Sequence, residues 1–143
     1  MVERWVLFAV LSMVFAGCTS VIAKKGLTGI SGELGLAIRT VFVFGFVALF
    51  ASMFVKRAEL QLLTARNYWF LGLSGLTTAA SWVFYYKALK IGDVGAIAVI
   101  DKGSFVIAVL LGWLLLGEKI TWRIAIGSAF ILVGLWIVAK RVS

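Results

Sequence analysis

The sequence contains no histidine and no proline, a single cysteine, and only six acidic residues against fourteen basic ones. Without imidazole, Ser-His triads, histidine general bases and most zinc sites are excluded together. Cys18 stands alone inside an apolar run, so neither an intrachain disulfide nor a cysteine metal cluster can form, and it reads as a small core residue. No cofactor and no metal are therefore expected, and an enzyme is not expected either. Long polar stretches are missing too: charged residues make up 14% of the chain and cluster in short connections, none long enough to form a soluble domain.

What remains is overwhelmingly apolar. Of 143 residues, 63% are hydrophobic and the mean hydropathy is +1.10, more apolar surface than one small soluble core can hide, so lipid is the expected solvent. Five runs stand out, at residues 5–23, 34–55, 67–86, 94–117 and 122–139. An uncharged helix of about 19 residues rises about 28 Å, the thickness of a bilayer's hydrocarbon core. The first run is long enough to span and lacks a small-x-small cleavage pattern, so it is expected to stay rather than act as a signal peptide. Barrel strands would show roughly 10-residue alternating segments, which are absent, and the fold class predicted is all-α, a polytopic membrane protein with five transmembrane helices in one domain, 1–143. Gly127 and Gly134 share one face of the fifth run, where small residues let helices approach closely.

Five spans put alternate connections on opposite sides. Arg4, Lys56, Arg57, Arg66, Lys119 and Arg123 fall on one side, and Lys24, Lys25, Lys87, Lys90, Lys140 and Arg141 on the other, six against six. Because the Lys and Arg excess sets orientation, the tie predicts dual topology, with an orientation fixed by the first hairpin as the alternative. Basic residues beside membrane spans also account for the net charge of +8 without a nucleic-acid partner.

Charges within a span cost about 2.5 kcal/mol or more at a helix centre, which singles out Arg39, Asp101 and Lys102. Arg39 lies about 8 Å into the second span and Asp101 about 10 Å into the fourth, both measured from the same side, so an Arg39–Asp101 pair is geometrically open. Two readings compete. The charges either snorkel and hold helices together, or line a water-filled cavity that attracts an anionic or zwitterionic substrate. Ser74, Thr78, Ser81 and Tyr85 recur at spacings of four, three and four, placing a hydroxyl stripe on one face of the third span with Thr77 and Trp82 beside it. Ser104 extends a small and polar face on the fourth. Each hydroxyl alone reads more simply as a helix–helix hydrogen bond.

The runs Ala88-Leu89-Lys90-Ile91-Gly92-Asp93, Ile100-Asp101-Lys102-Gly103-Ser104 and Leu115-Leu116-Gly117-Glu118-Lys119, with Ala23-Lys24-Lys25-Gly26 and Ala37-Ile38-Arg39-Thr40, carry a likeness over nearly the whole chain. It resembles the EamA domain of the drug/metabolite transporter superfamily, in its short single-domain form. The resemblance implies one inverted-repeat half of a ten-helix transporter, completed by a second copy inserted antiparallel. The family pattern commonly has proline where Val99 stands here, so residue 99 keeps its N–H and the fourth helix need not kink. Glu118, at a helix end, reads as a cap or a loop ion pair.

The functional expectation is a secondary transporter or exporter of a small organic metabolite in the cell (inner) membrane, working as an antiparallel homodimer by alternating access, with lipid as its other partner. Arg39, Asp101 and Lys102 would form the charged end of the cavity, with Ser74, Thr78, Ser81, Tyr85 and Ser104 along its walls. A non-transporting membrane scaffold is the alternative from another class. A small multidrug-type exporter fits less well, because the first span carries no carboxylate.

Overall fold

The computed structural model describes residues 4–142, so the ends of the expected 1–143 domain, residues 1–3 and 143, lie outside the described residues. Within that range the ordered elements are all helices: α1 (Arg4–Gly26), α2 (Gly32–Phe54), α3 (Arg57–Leu60), α4 (Ala65–Ile91), α5 (Val94–Asp101), α6 (Ser104–Leu116) and α7 (Trp122–Val142). Four helical stretches are long and apolar enough to cross a membrane: Arg4–Gly26, Gly32–Phe54, Val94–Leu116 and Trp122–Lys140. The run expected at 67–86 lies within the 27-residue α4, where Asn67, Ser74, Thr77, Thr78 and Ser81 lower the hydropathy below that of the other four.

Helix ends follow local chemistry. Ser31 caps α2, its hydroxyl oxygen accepting the Leu34 N–H at 3.2 Å, and Glu33 places an acid in the first turn, where the helix dipole favours it. The connection expected around residues 56–66 holds the single-turn α3 and closes on Asn67, whose side-chain oxygen accepts the Thr64 N–H at 3.1 Å. At its other end α4 runs on to Ile91, beyond the expected limit at 86. Lys87 and Lys90, expected in a connection, instead lie in the closing turns of the helix, where cations meet unpaired carbonyls.

The chain divides into two compact units, one made of the chain up to Ile22 together with the chain from Gly92, the other of Ala23–Ile91. In the Ala23–Ile91 unit, α2 packs on α4 through glycine. A Cβ built on Gly32 would lie 2.8 Å from the Tyr86 carbonyl oxygen, so only glycine lets the start of α2 meet the backbone of α4. One turn on, Gly35 accepts the Leu27 side chain in the same way. Leu27, Tyr86 and Leu89 are the buried apolar residues of this junction. It is closed by two lysines, Lys24 donating to the Leu89 carbonyl and Lys90 to the Leu27 carbonyl at 3.0 Å.

In the other unit α5 packs on α7, with Leu135 reaching toward Gly103. The fourth apolar run, expected to be one span from 94 to 117, is interrupted, and not at Val99. The Lys102 and Gly103 N–H groups bond three residues back, to Val99 O at 3.1 Å and Ile100 O at 2.9 Å, and Phe105 N–H bonds to Lys102 O at 3.2 Å. A proline is not needed for this: a short 3-10 turn at Lys102-Gly103 separates α5 from α6. α6 ends where Gly117 adopts φ +68°, letting the Glu118 N–H return to Gly112 O at 3.1 Å. The Glu118 carboxylate folds back over Gly112, where a Cβ would come within 3.0 Å of Oε2, so the expected capping role belongs to its backbone. Gly127 and Gly134 meet no neighbour within 4 Å of a would-be Cβ, whereas Gly32 and Gly35 do.

Candidate functional site

Arg39 lies on α2 two turns beyond Gly32, where α2 crosses α4, and that crossing brings it against α4. Its guanidinium carbon lies 4.3 Å from the centre of the Trp82 ring and 5.8 Å from that of Tyr86. Trp82 and Tyr86 are four residues apart and so share a face of α4, which makes them a pair of rings for one cation. Each such contact contributes about 0.5–2 kcal/mol, more when water is excluded. Its Nη1 is buried and has no hydrogen-bond partner among the described residues.

Trp82 also forms part of a groove of about 520 Å³ between α2 and α4, walled by Leu36 and Thr40 from α2 and by Leu71, Ser74 and Thr78 from α4. Of the expected hydroxyl stripe, Ser74 and Thr78 line this groove. Ser81 is exposed on α4 outside it, and Tyr85 lies beside Tyr86 with ring centres 6.4 Å apart. The threonine donors are spent locally: Thr78 and Thr77 both donate to Ser74 O, at 2.8 and 2.9 Å, and Thr40 donates to Leu36 O at 2.8 Å. The groove threonines Thr40 and Thr78 thus offer hydroxyl lone pairs, not hydroxyl hydrogens.

Asp101, Lys102 and Ser104 belong to the other unit, at the interruption between α5 and α6. Lys102 Nζ lies 3.8 Å from Asp101 Oδ2, with the lysine side chain 61% and the aspartate 40% exposed. Adjacent residues do not face each other on a regular α-helix, so the turn at Lys102-Gly103 is what allows this pair. Ser104 opens α6 directly after it. A second ion pair, Lys87 Nζ to Glu33 Oε1 at 3.4 Å, joins the end of α4 to the start of α2; with both side chains more than half exposed it contributes little to stability. Among the described residues no cluster of potential metal ligands occurs.

Sequence reasoning singled out Arg39 but missed its partners. The signal available was the aromatic pair at 82 and 86, spaced to form one face on the helix that carries the hydroxyl stripe. Thr40, next to Arg39, also went unremarked as a groove residue.

Comparison with known proteins agrees with this architecture. The chain is 37% identical over 139 residues to an uncharacterized transporter in the cobO 3' region of Sinorhizobium sp., an alignment covering 97% of this chain and 99% of that one. No solved structure matches. The EamA-like transporter family matches residues 3–140, and with four apolar membrane-length helices the chain is a multi-pass membrane protein belonging to that family.

Proposed function

We propose that this transporter moves a small organic metabolite across the cell membrane by alternating access, as a homodimer of two copies inserted in opposite orientations. In this reading α4 also crosses the bilayer, giving five spans per copy and ten in the dimer, and each copy is one inverted half. Arg39, Asp101 and Lys102 supply charge to the cavity, and Ser74, Thr78, Ser81, Tyr85 and Ser104 its hydroxyl walls.

The observation that carries the reading is the α2–α4 groove, which holds hydroxyl groups and shares Trp82 with the Arg39 guanidinium, whose Nη1 is unpartnered among the described residues. Polar groups at membrane depth face protein or a water-filled cavity, and alternating access supplies such a cavity at a repeat interface. The even division of Lys and Arg between the two sides supports the inverted pairing, because it removes the usual bias toward one orientation.

A reporter fused to the C-terminus and read on both sides of the membrane tests the arrangement. Signals of comparable strength from both sides are expected. A signal from one side alone, together with co-purification of a different membrane protein at fixed stoichiometry, would replace this reading with the scaffold.

A further inference from the structure

We propose that the Arg39 site binds one singly charged carboxylate whose apolar body lies along the α2–α4 groove. This deepens the transport reading, on which its purpose rests, while its geometry stands within the Ala23–Ile91 unit alone. Arg39 is held by ring faces, not by an acid: Trp82 and Tyr86 take the flat of the guanidinium, and among the described residues no carboxylate lies within ion-pair distance of it. Stacking of this kind leaves the N–H donors, which lie in the guanidinium plane, free to bond outward. Nη1 is buried without a partner, and a buried charged donor left unmet is costly. Snorkelling does not relieve it, because the side chain is pinned against α4 about 10 Å into α2, counting seven residues from Gly32. Because Nη1 has no exposed surface, a carboxylate meets it where the guanidinium turns past Trp82 toward the groove, and there satisfies it with a charge-assisted hydrogen bond.

The groove supplies the rest of the recognition. Trp82 belongs to both the cation site and the groove wall, and from Val83 back to Leu71 the wall runs about 18 Å along α4 at helical rise. Leu36, Leu71, Ala79 and Val83 suit an apolar body, while Thr40 and Thr78, their hydrogens already donated to their own helix, accept hydrogen bonds from it. One cation and an apolar wall select a monoanion; a dianion would bring a second charge with no partner. The same singly charged oxyanion chemistry could be offered by a lipid phosphate, so the test separates the two sources.

Purified protein in nanodiscs of phosphatidylcholine is titrated with radiolabelled 4-phenylbutyrate and octanoate, in competition with 4-phenylbutanol and 4-phenylbutylamine. Saturable binding of the carboxylates, at least tenfold tighter than the alcohol or amine, is expected from the wild-type chain. Arg39→Gln should lose at least tenfold in carboxylate affinity with unchanged binding of the alcohol, and Arg39→Lys should fall between. Absence of saturable carboxylate binding, equal affinity for alcohol and acid, or unaltered binding by Arg39→Gln would each overturn the proposal. The wild-type selectivity decides it even where the variant does not fold. In nanodiscs containing phosphatidylglycerol, carboxylate binding should persist; its loss, with that lipid retained by the wild type and not by Arg39→Gln in native mass spectrometry, assigns the site to lipid and overturns the proposal. Carboxylate binding without flux in proteoliposomes would sink the transport reading but leave the site standing, whereas flux without Arg39-dependent binding would do the reverse.

Discussion

Lys90, in the last turn of α4, donates to the Leu27 carbonyl at the end of α1, 3.0 Å away, while Lys24 donates in the opposite sense to the Leu89 carbonyl. Each ammonium thus meets carbonyls at the C-terminal end of the other helix, where the last four have no intrahelical donor and the dipole is negative. Replacing either lysine by methionine keeps the stem and removes the donor. A loss of about 1–2 kcal/mol is expected from each, at the strength of a hydrogen bond to a charged group, in reversible unfolding in mixed micelles. The double variant should lose less than the sum of the singles, since the pair closes one junction.

Glycine positions separate crossing from propensity. Gly32→Ala places a methyl 2.8 Å from the Tyr86 carbonyl oxygen, a backbone atom that cannot swing aside, and should cost about 1–3 kcal/mol. Gly45→Ala on the same helix meets nothing within 4 Å and should be neutral or gain up to about 1 kcal/mol from helix propensity. Parallel thermal melts of the two variants check the contrast.

Gly117 lies at φ +68°, so an alanine there strains the backbone whatever space surrounds it. Gly117→Ala should destabilise by about 1–2 kcal/mol and Gly117→Asn by less, since asparagine tolerates the left-handed region better. The same micelle unfolding measurement distinguishes them.

For transport, Arg39→Ala and Asp101→Asn should each abolish solute movement while inserting normally. Comparing small molecules released by cells carrying the wild-type gene with those from an empty vector identifies the exported compounds. Both variants should erase that difference at equal membrane abundance, and an undiminished difference in both would remove these charges from the mechanism.

The helical runs were legible because hydropathy reports contact with lipid directly: the expected runs at 5–23, 34–55 and 122–139 fall inside α1, α7 and, but for one residue, α2. The end of α4 was not legible. Lys87 and Lys90 read as polar connection, yet a lysine bonded to a carbonyl or paired with Glu33 is as compatible with helix as with loop. The interruption at Lys102-Gly103 was hidden for the opposite reason. Proline is what marks a break in a sequence, whereas here the helix tightens to 3-10 bonding with no residue that forbids the α form. Of the site, Arg39 announced itself by its charge and the Ser74–Thr78 stripe by its spacing. Its aromatic partners did not, because tryptophan and tyrosine are common anywhere in a membrane helix, and only the crossing at Gly32 brings these two to the guanidinium.

The interruption at Lys102-Gly103 also gives the Val94–Leu116 span a mechanical character that a continuous rod lacks. α5 packs on α7, so a rotation about the Gly103 backbone would leave it in place and swing α6 as a lever. Thirteen residues make an arm of about 20 Å, and a turn of about 10° at its base displaces the far end by about 3.5 Å, roughly the width of a water molecule. A displacement of that size needs no helix to slide through the bilayer, only one pair of dihedral angles to change.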